Sequence, residues 1–494
     1  MPFKVGHMLI SICALTVINC EVAKMNDGSD LAVLQAELQC RYMNNSDPSE
    51  DTILDTIDAG MLLTRFTELR KASRVCLPKP CDKLRAYSGY IPVDKSNKSS
   101  YLFFLHIKSE PDSGKPLLLW LQGGPGKSSL FGQFLENGPL GIDAAGKLYY
   151  REHTLLNNFN IIYLDQPVGS GYSFSETKAY PSSLDEASTH VITFLEEFLK
   201  IFPEYKDKDF YIAGESYGAR SAVGVAQMLV PQASRPFPLH IKGVMLGVGF
   251  LFPLMDIINS TDFLYYTSLL DDCGRNLLAQ RFDMIQTLAA EEQHKAAVLL
   301  SQTVLNLRMK SQQSLFESLS GFHHHGSITT PQRPREVLSY MIYANSSEFK
   351  KRIHVGSSRT LDGTRYQIAL KLALTDFFVD LKDNLTNVLN NVRVLLYTAQ
   401  LDAVFPAVNI EQSLKNLAWR GSEALQKANR THWFDTKSSL NLLGYVKEAG
   451  SVMCATVLYG GHYVSLDRSR AVSELYNRFL EFQSKPSLPE VRSC

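Results

Sequence analysis

The stretch Asp209-Phe210-Tyr211-Ile212-Ala213-Gly214-Glu215-Ser216-Tyr217-Gly218 decides how the rest of the chain is read. Its first half is an apolar run that predicts a buried strand over 209–213, and a helical pattern follows Gly218. Between them lies Gly-x-Ser-x-Gly, the signature of a nucleophile elbow. In such a tight strand-to-helix turn, small flanking residues relieve crowding and the serine hydroxyl stands clear of the sheet edge. The pentapeptide alone also fits a tight turn without chemistry. Its meaning depends on the strands, helices and reactive residues around it.

The chain has 494 residues, 45% hydrophobic and 20% charged, an ordinary globular composition with room for one domain carrying an insertion, or for two domains. Lys plus Arg and Asp plus Glu balance at 50 each, so charge argues for neither nucleic acid nor an anionic membrane as a partner. Lys4, the apolar run 8–18 and small or polar residues near 20–23 read as a cleaved secretory signal over 1–23, with an N-terminal anchor as the alternative. That run is too short to cross a bilayer, and no stable membrane span is expected. Sequons at Asn44, Asn97, Asn259, Asn345, Asn384 and Asn429 fit glycosylation in the secretory pathway. Cleavage after Cys20 leaves Cys40, Cys76, Cys81, Cys273, Cys454 and Cys494, an even number suited to an oxidising compartment. Cys76 and Cys81 enclose a Pro-rich loop and could bridge locally. No Cys/His set has zinc spacing, and His323-His324-His325 reads as a solvated loop rather than a metal site.

Residues 24–84 carry mixed helical patterning and read as a presegment or an arm over the core. Beyond them, short apolar runs alternate with amphipathic ones. Strands are predicted over 101–107, 116–121, 160–164, 209–213, 241–246, 392–398 and 455–459. A helix precedes the elbow strand, with Val191, Phe194, Leu195, Phe198, Ile201 and Phe202 on one face. Strands alternating with helices imply an α/β chain with a mostly parallel central sheet covered on both faces. The alternation lapses over 251–373, where helical patterns dominate. This is read as a helical cap subdomain inserted between the core segments 85–250 and 374–484, with 485–494 as a tail, and it is placed to shape a pocket over the elbow.

A serine hydroxyl becomes nucleophilic when a histidine takes its proton, and the histidine needs a carboxylate to fix its tautomer. After an elbow the expected order is Ser, acid, His, the last two in loops just beyond core strands. Asp402 follows the strand predicted at 392–398, and His462 follows the one at 455–459. The other histidine beyond Asp402 is His432, which sits beside a sequon in a polar connection, so Ser216, Asp402 and His462 form the candidate triad. Backbone N–H groups of Tyr217 and of the Gly-rich turn Gln122-Gly123-Gly124-Pro125-Gly126 are candidates for an oxyanion hole, with Gly124 the donor in that turn. The turn lacks the Gly-Lys-Ser/Thr ending of a phosphate loop. The chemistry needs no metal or organic cofactor, and none is signalled.

From about Tyr87 to Phe482 the chain resembles the serine carboxypeptidase family, and most of all its vitellogenic-like branch. The resemblance rests on Leu118-Leu119-Trp120-Leu121-Gln122-Gly123-Gly124-Pro125-Gly126, Glu136-Asn137-Gly138-Pro139, Asp165-Gln166-Pro167-Val168-Gly169-Ser170-Gly171 and Ile201-Phe202-Pro203-Glu204-Tyr205. It continues through Gly214-Glu215-Ser216-Tyr217, Gln400-Leu401-Asp402 and Gly461-His462. It implies an α/β-hydrolase fold with a helical cap, a secreted or lysosomal setting, and removal of single residues from peptides with a free C-terminus. It also implies that Gln122, Gly123, Glu136 and Glu215 bind the substrate's terminal carboxylate. Without it, Glu136 would be read as a surface helix residue. A homodimer is left open.

Several positions depart from the family pattern. Gln122 stands where Asn is usual, Lys127 replaces Cys or Gly and so removes one disulfide, and Leu155 stands for Trp. Gly218-Ala219 inverts Ala-Gly, Ser221 and Val223 replace an aromatic residue and Pro, and Val248 replaces Asn or Asp. Val464-Ser465-Leu466-Asp467-Arg468-Ser469 replaces Val-Pro-x-Asp-Gln-Pro. Two other readings therefore stand beside the carboxypeptidase: an esterase or acyltransferase on the same triad, and a non-enzymatic secreted paralogue.

Overall fold

The computed structural model describes residues 62–94, 98–109, 114–230, 237–305 and 313–484. The signal, most of the 24–84 arm, Cys40, Asn44, Asn97, Cys494 and the tail lie outside them. The strands that build the site are β1 (Ala86–Pro92), β2 (Ser100–Ile107), β3 (Leu117–Leu121), β4 (Asn160–Leu164), β5 (Asp209–Glu215), β6 (His240–Gly247), β7 (Val394–Ala399), β8 (Thr431–Asp435), β9 (Ser438–Ala449) and β10 (Val452–Val457). They join one sheet in the order β1-β2-β4-β3-β5-β6-β7-β10-β9-β8, with two-residue strands at Arg74–Val75 and Phe174–Ser175 paired to β1 and β2. From β4 to β10 every pairing is parallel. The wings β1-β2-β4 and β10-β9-β8 are antiparallel. The central strands are buried on both faces, which is why they read as unbroken apolar runs.

Alternate residues of β3 sort the core into two layers. Leu117, Leu119 and Leu121 pack with α1 (Leu184–Ile201) and α2 (Tyr217–Leu229), and Leu118 and Trp120 face the opposite layer. Ser183 caps α1 by accepting from the Glu186 N–H, and Val191, Phe194, Leu195 and Phe198 then fall on its inner face. The helix α3 (Arg335–Ala344) and the C-terminal helix α5 (Ser469–Ser484) cover the second layer through Tyr340, Leu475 and Phe479. The helix α4 (Lys382–Asn391) returns to α1's side with Leu385 and Val388. This is the α/β-hydrolase fold. Between β6 and β7 the described residues form helices and loops and no strand. We propose that 251–373 of this segment is the cap and that α4 belongs to the core.

Three expectations are corrected. The final parallel strand is Val452–Val457 rather than 455–459, which frees Leu458 to Gly461 to form the loop before His462. The polar connection around His432 is the hairpin β8-β9, an edge ribbon whose inward side chains, Trp433, Leu443 and Val446, are too sparse to mark a strand in the sequence. Cys76 and Cys81 do not bridge: both are free thiols, Cys81 turned into the core beside Leu77 and Cys76 exposed to solvent. Among the described residues no helix is long and apolar enough to cross a membrane.

Candidate active site

Four neighbouring loops beyond the C-terminal ends of parallel strands carry the site: Gln122 to Gly126 after β3, Ser216 after β5, Asp402 after β7 and His462 after β10. At the elbow, Ser216 holds φ +57° and ψ −125°, an uncommon conformation for a residue with a Cβ. Its N–H donates to Gly247 O at 2.9 Å. A Cβ at Gly214 would lie 2.2 Å from Gly218 O, and one at Gly218 would lie 2.1 Å from Leu121 O. Only hydrogen fits at either place. The small residues let α2 start against the sheet and leave the serine projecting.

His462 Nε2 is 2.9 Å from Ser216 Oγ, and its Nδ1 is 2.9 Å from Asp402 Oδ2. Asp402 is fully buried, and its other oxygen accepts from the Val404 and Phe405 N–H groups at 2.8 and 3.1 Å. Nδ1–H thus donates to Asp402, which leaves Nε2 as the acceptor facing the Ser216 hydroxyl. Burial lowers the His462 pKa, but Asp402 more than offsets this, so the imidazole is more basic than usual. The acid and base loops are tied by Leu401 N–H to Gly460 O at 2.8 Å and by Tyr459 N–H to Gln400 Oε1 at 3.1 Å. His432 lies exposed on β8, away from this set.

Tyr217 opens α2, so its N–H has no carbonyl a turn earlier in the helix and is available at the elbow. The β3 loop comes directly against the serine: a Cβ on Gly123 would lie 2.9 Å from Ser216 Cβ. That brings the backbone of Gly123 to the nucleophile, with Gly124 next in the turn. Asp165 pins the loop. Its buried carboxylate accepts from Ser128 Oγ at 2.6 Å and from the N–H groups of Ser129 and Tyr172 at 2.8 Å each, and burial raises its pKa to about 7. Asp165 opens the segment Asp165–Gly171 on which the resemblance rests, and the resemblance implies no role for it. Its partners lie far from it along the chain, and nothing local marked them.

Gln122 and Glu136 are buried beside this loop. The Gln122 Oε1 accepts from Trp120 Nε1 at 3.0 Å, which turns its amide nitrogen toward Glu136 Oε1 at 3.5 Å. Glu136 sits at the end of a short π-helical turn, Gly132–Glu136, that is buried throughout, so the surface-helix alternative is corrected. Its Oε2 has no hydrogen-bond partner among the described residues. Glu215 is buried too, and its Oε1 accepts from Tyr397 at 2.8 Å and Ser465 at 2.5 Å. Burial raises both carboxyl pKa values, and each group's proximity to the other raises Glu136 further. Glu136 is therefore the member of the pair that keeps a proton more readily, while the hydroxyls of Tyr397 and Ser465 favour the charged form of Glu215. In the sequence Tyr397 and its partner Tyr476, 2.9 Å away, look like core aromatics, and Ser465 shows only as a departure from the family pattern, with nothing to mark its contact with Glu215.

The His323–His325 loop is not solvated. His324 is buried, and the Gly326 carbonyl accepts from the His462 N–H at 2.5 Å, so the loop packs against the base. Burial pushes the His324 and His325 pKa values down to about 4 and about 3. Among the described residues no group of three or more His, Cys, Asp or Glu is placed to hold a metal ion. Of the described sequons, Asn259 and Asn429 are exposed and Asn384 is half-buried. Asn345 is also half-buried, with its amide committed to Met341 O and the Leu361 N–H.

The serine carboxypeptidase family model matches residues 78–482. A probable serine carboxypeptidase of Homo sapiens is 30% identical over 434 residues, covering 86% of this chain and 90% of that protein. The venom serine carboxypeptidase of Apis mellifera is 31% identical over 442 residues, covering 87% and 93%. The vitellogenic carboxypeptidase of Aedes aegypti is 28% identical, covering 84% and 87%. A solved prohormone-processing carboxypeptidase from Saccharomyces cerevisiae shares the fold, with a TM-score of 0.69 at 20% identity over 84% of this chain and 96% of that one. With the match running through every loop that builds the site, the chain belongs to the serine carboxypeptidase family.

Proposed function

We propose that the chain removes single residues from peptide C-termini as an acid-active serine carboxypeptidase. The observation that carries this reading is the pair of buried carboxyls, Glu136 and Glu215, set beside the hydrogen-bonded Ser216–His462–Asp402 array. A hydrolase of esters or internal peptide bonds gains nothing from two desolvated carboxyls there. An exopeptidase does, because the protonated pair can donate to a free terminal carboxylate together with the Gln122 amide and the Gly123 N–H. Ser216 Oγ attacks the carbonyl carbon of the last peptide bond as its proton passes to His462 Nε2. The carbonyl oxygen becomes the oxyanion and takes hydrogen bonds from the Gly124 and Tyr217 N–H groups. The C–N bond then breaks, His462 returns the proton to the leaving amine, and a water activated by His462 hydrolyses the acyl-serine. The raised pKa values of the pair suit an acid compartment such as the lysosome or an acid secretory vesicle.

Blocked dipeptides and their C-terminal amides, incubated with the mature protein between about pH 4.5 and 7, test the reading against the ordinary carboxyl range. Release of one amino acid from the free acids alone is expected, with a loss of about 10⁴-fold or more in Ser216→Ala. Equal cleavage of acids and amides would overturn it.

A further inference from the structure

Lys127 has no place in the mechanism, yet it stands inside the site. Its stem packs on the oxyanion loop, where a Cβ on Gly124 would lie 3.4 Å from Lys127 Cγ. Its ammonium sits 4.9 Å from the ring centroids of both Phe131 and Tyr463 and 3.4 Å from the Tyr463 hydroxyl. The two rings pack on each other at 5.5 Å. Tyr463 directly follows the general base, and Phe131 lies about one turn before Glu136. The cation is therefore held between the groups that bind the terminal carboxylate and the histidine that protonates the leaving amine. Those two functions act on one substrate residue, the last, and its side chain must project into the space they bound.

The electrostatics agree with this placement. Lys127 acts on both Glu136 and His462. Burial raises the Tyr463 phenol, but Lys127, Arg333, His462 and Arg365 together outweigh it and draw its pKa down to about 7. A lysine held between two aromatic faces is partly desolvated and fixed in position, and that strengthens its attraction for an anion.

We propose that Lys127, positioned by Phe131 and Tyr463, binds the side chain of the departing residue, and that the protein selects peptides ending in Glu or Asp. This rests on the carboxypeptidase reading above. The test is kcat/KM on one blocked dipeptide series ending in Glu, Gln, Leu or Lys at about pH 5.5, where a glutamate side chain is ionised. The wild type should favour Glu over Gln by about tenfold to a hundredfold, the range of a charge-assisted hydrogen bond. Lys127→Met should bring that ratio to about one, Lys127→Arg should keep it, and Lys127→Glu should turn the preference toward Lys. Circular dichroism confirms that each variant is folded, and the ratio within one variant is independent of its active fraction. Release of Leu or Gln as fast as Glu by the wild type would overturn the proposal and leave the carboxypeptidase reading standing. Equal loss on Glu and Gln in Lys127→Met would do the same. No release from any dipeptide would overturn both.

Discussion

Ser465 occupies a position where the family pattern has proline, and its hydroxyl donates to Glu215 at 2.5 Å. Proline lacks a hydroxyl, so the departure changes the acid pair itself rather than only its surroundings. With Tyr397 on the same oxygen, the charge of the pair is steadied at Glu215 and the proton is left to Glu136. Raising the pH past the pKa of Glu136 then leaves two carboxylates facing an anionic substrate terminus, and peptide turnover should fall. Glu136→Gln presents an N–H at every pH. We expect its kcat/KM for a blocked dipeptide to lose the wild-type decline between about pH 5 and 8, at a cost of about tenfold or less at the acid end. Ester hydrolysis should show no such difference between the two proteins. The same decline in both would assign the titration elsewhere.

At the scale of elements, the elbow depends on how closely α2 is allowed to approach β3. The Gly218 Cα faces Leu121 O across a gap that a methyl group would reduce to 2.1 Å, and backbone on both sides has nowhere to yield. Gly218→Ala should therefore cost about 1–3 kcal/mol in urea unfolding and slow labelling of Ser216 by a fluorophosphonate, since α2 carries the Tyr217 N–H. Unchanged labelling would mean that the contact is structural only. The sequence made the central strands legible, because burial on both faces leaves apolar runs with sharp ends, as in Asn160–Leu164. Ser216, Asp402 and His462 were legible as residues that follow core strands, and the structure brings them within hydrogen-bond reach. The sequence could not reveal β8 and β9, where apolar residues are split between the faces, Trp433 buried and Phe434 and Leu440 exposed, nor the partners of Asp165, Tyr397 and Ser465, which come from distant segments. Val248 is intermediate: its departure from Asn or Asp was visible, but only the structure shows φ at +41°, a conformation that those two residues tolerate better than valine.

An acid-active enzyme of the kind proposed must stay folded at low pH, and the buried histidines of this chain oppose that. His106 is fully buried between Ile161 O and the Tyr205 hydroxyl, ringed by Phe198 and Phe202, and burial pushes its pKa down to about 3 from 6.5. A folded-state pKa below the unfolded one means that the unfolded chain binds the extra proton. Stability from this group is complete above about pH 6.5 and is lost as the pH falls toward about 3, at about 1.4 kcal/mol per pH unit. Glu136, Glu215 and Asp165 run the other way: their raised pKa values let the folded state hold protons, so they favour it in acid and lose that contribution as the pH rises. The two sets offset each other in the mildly acid range. His106→Phe keeps a ring in the aromatic cluster and removes one titration. Its urea-derived stability, plotted against pH from about 6 to 4, should fall less steeply than that of the wild type by about 1 kcal/mol per pH unit, whatever its absolute value. Parallel curves would show that His106 takes up its proton in the folded state and that another group sets the acid limit.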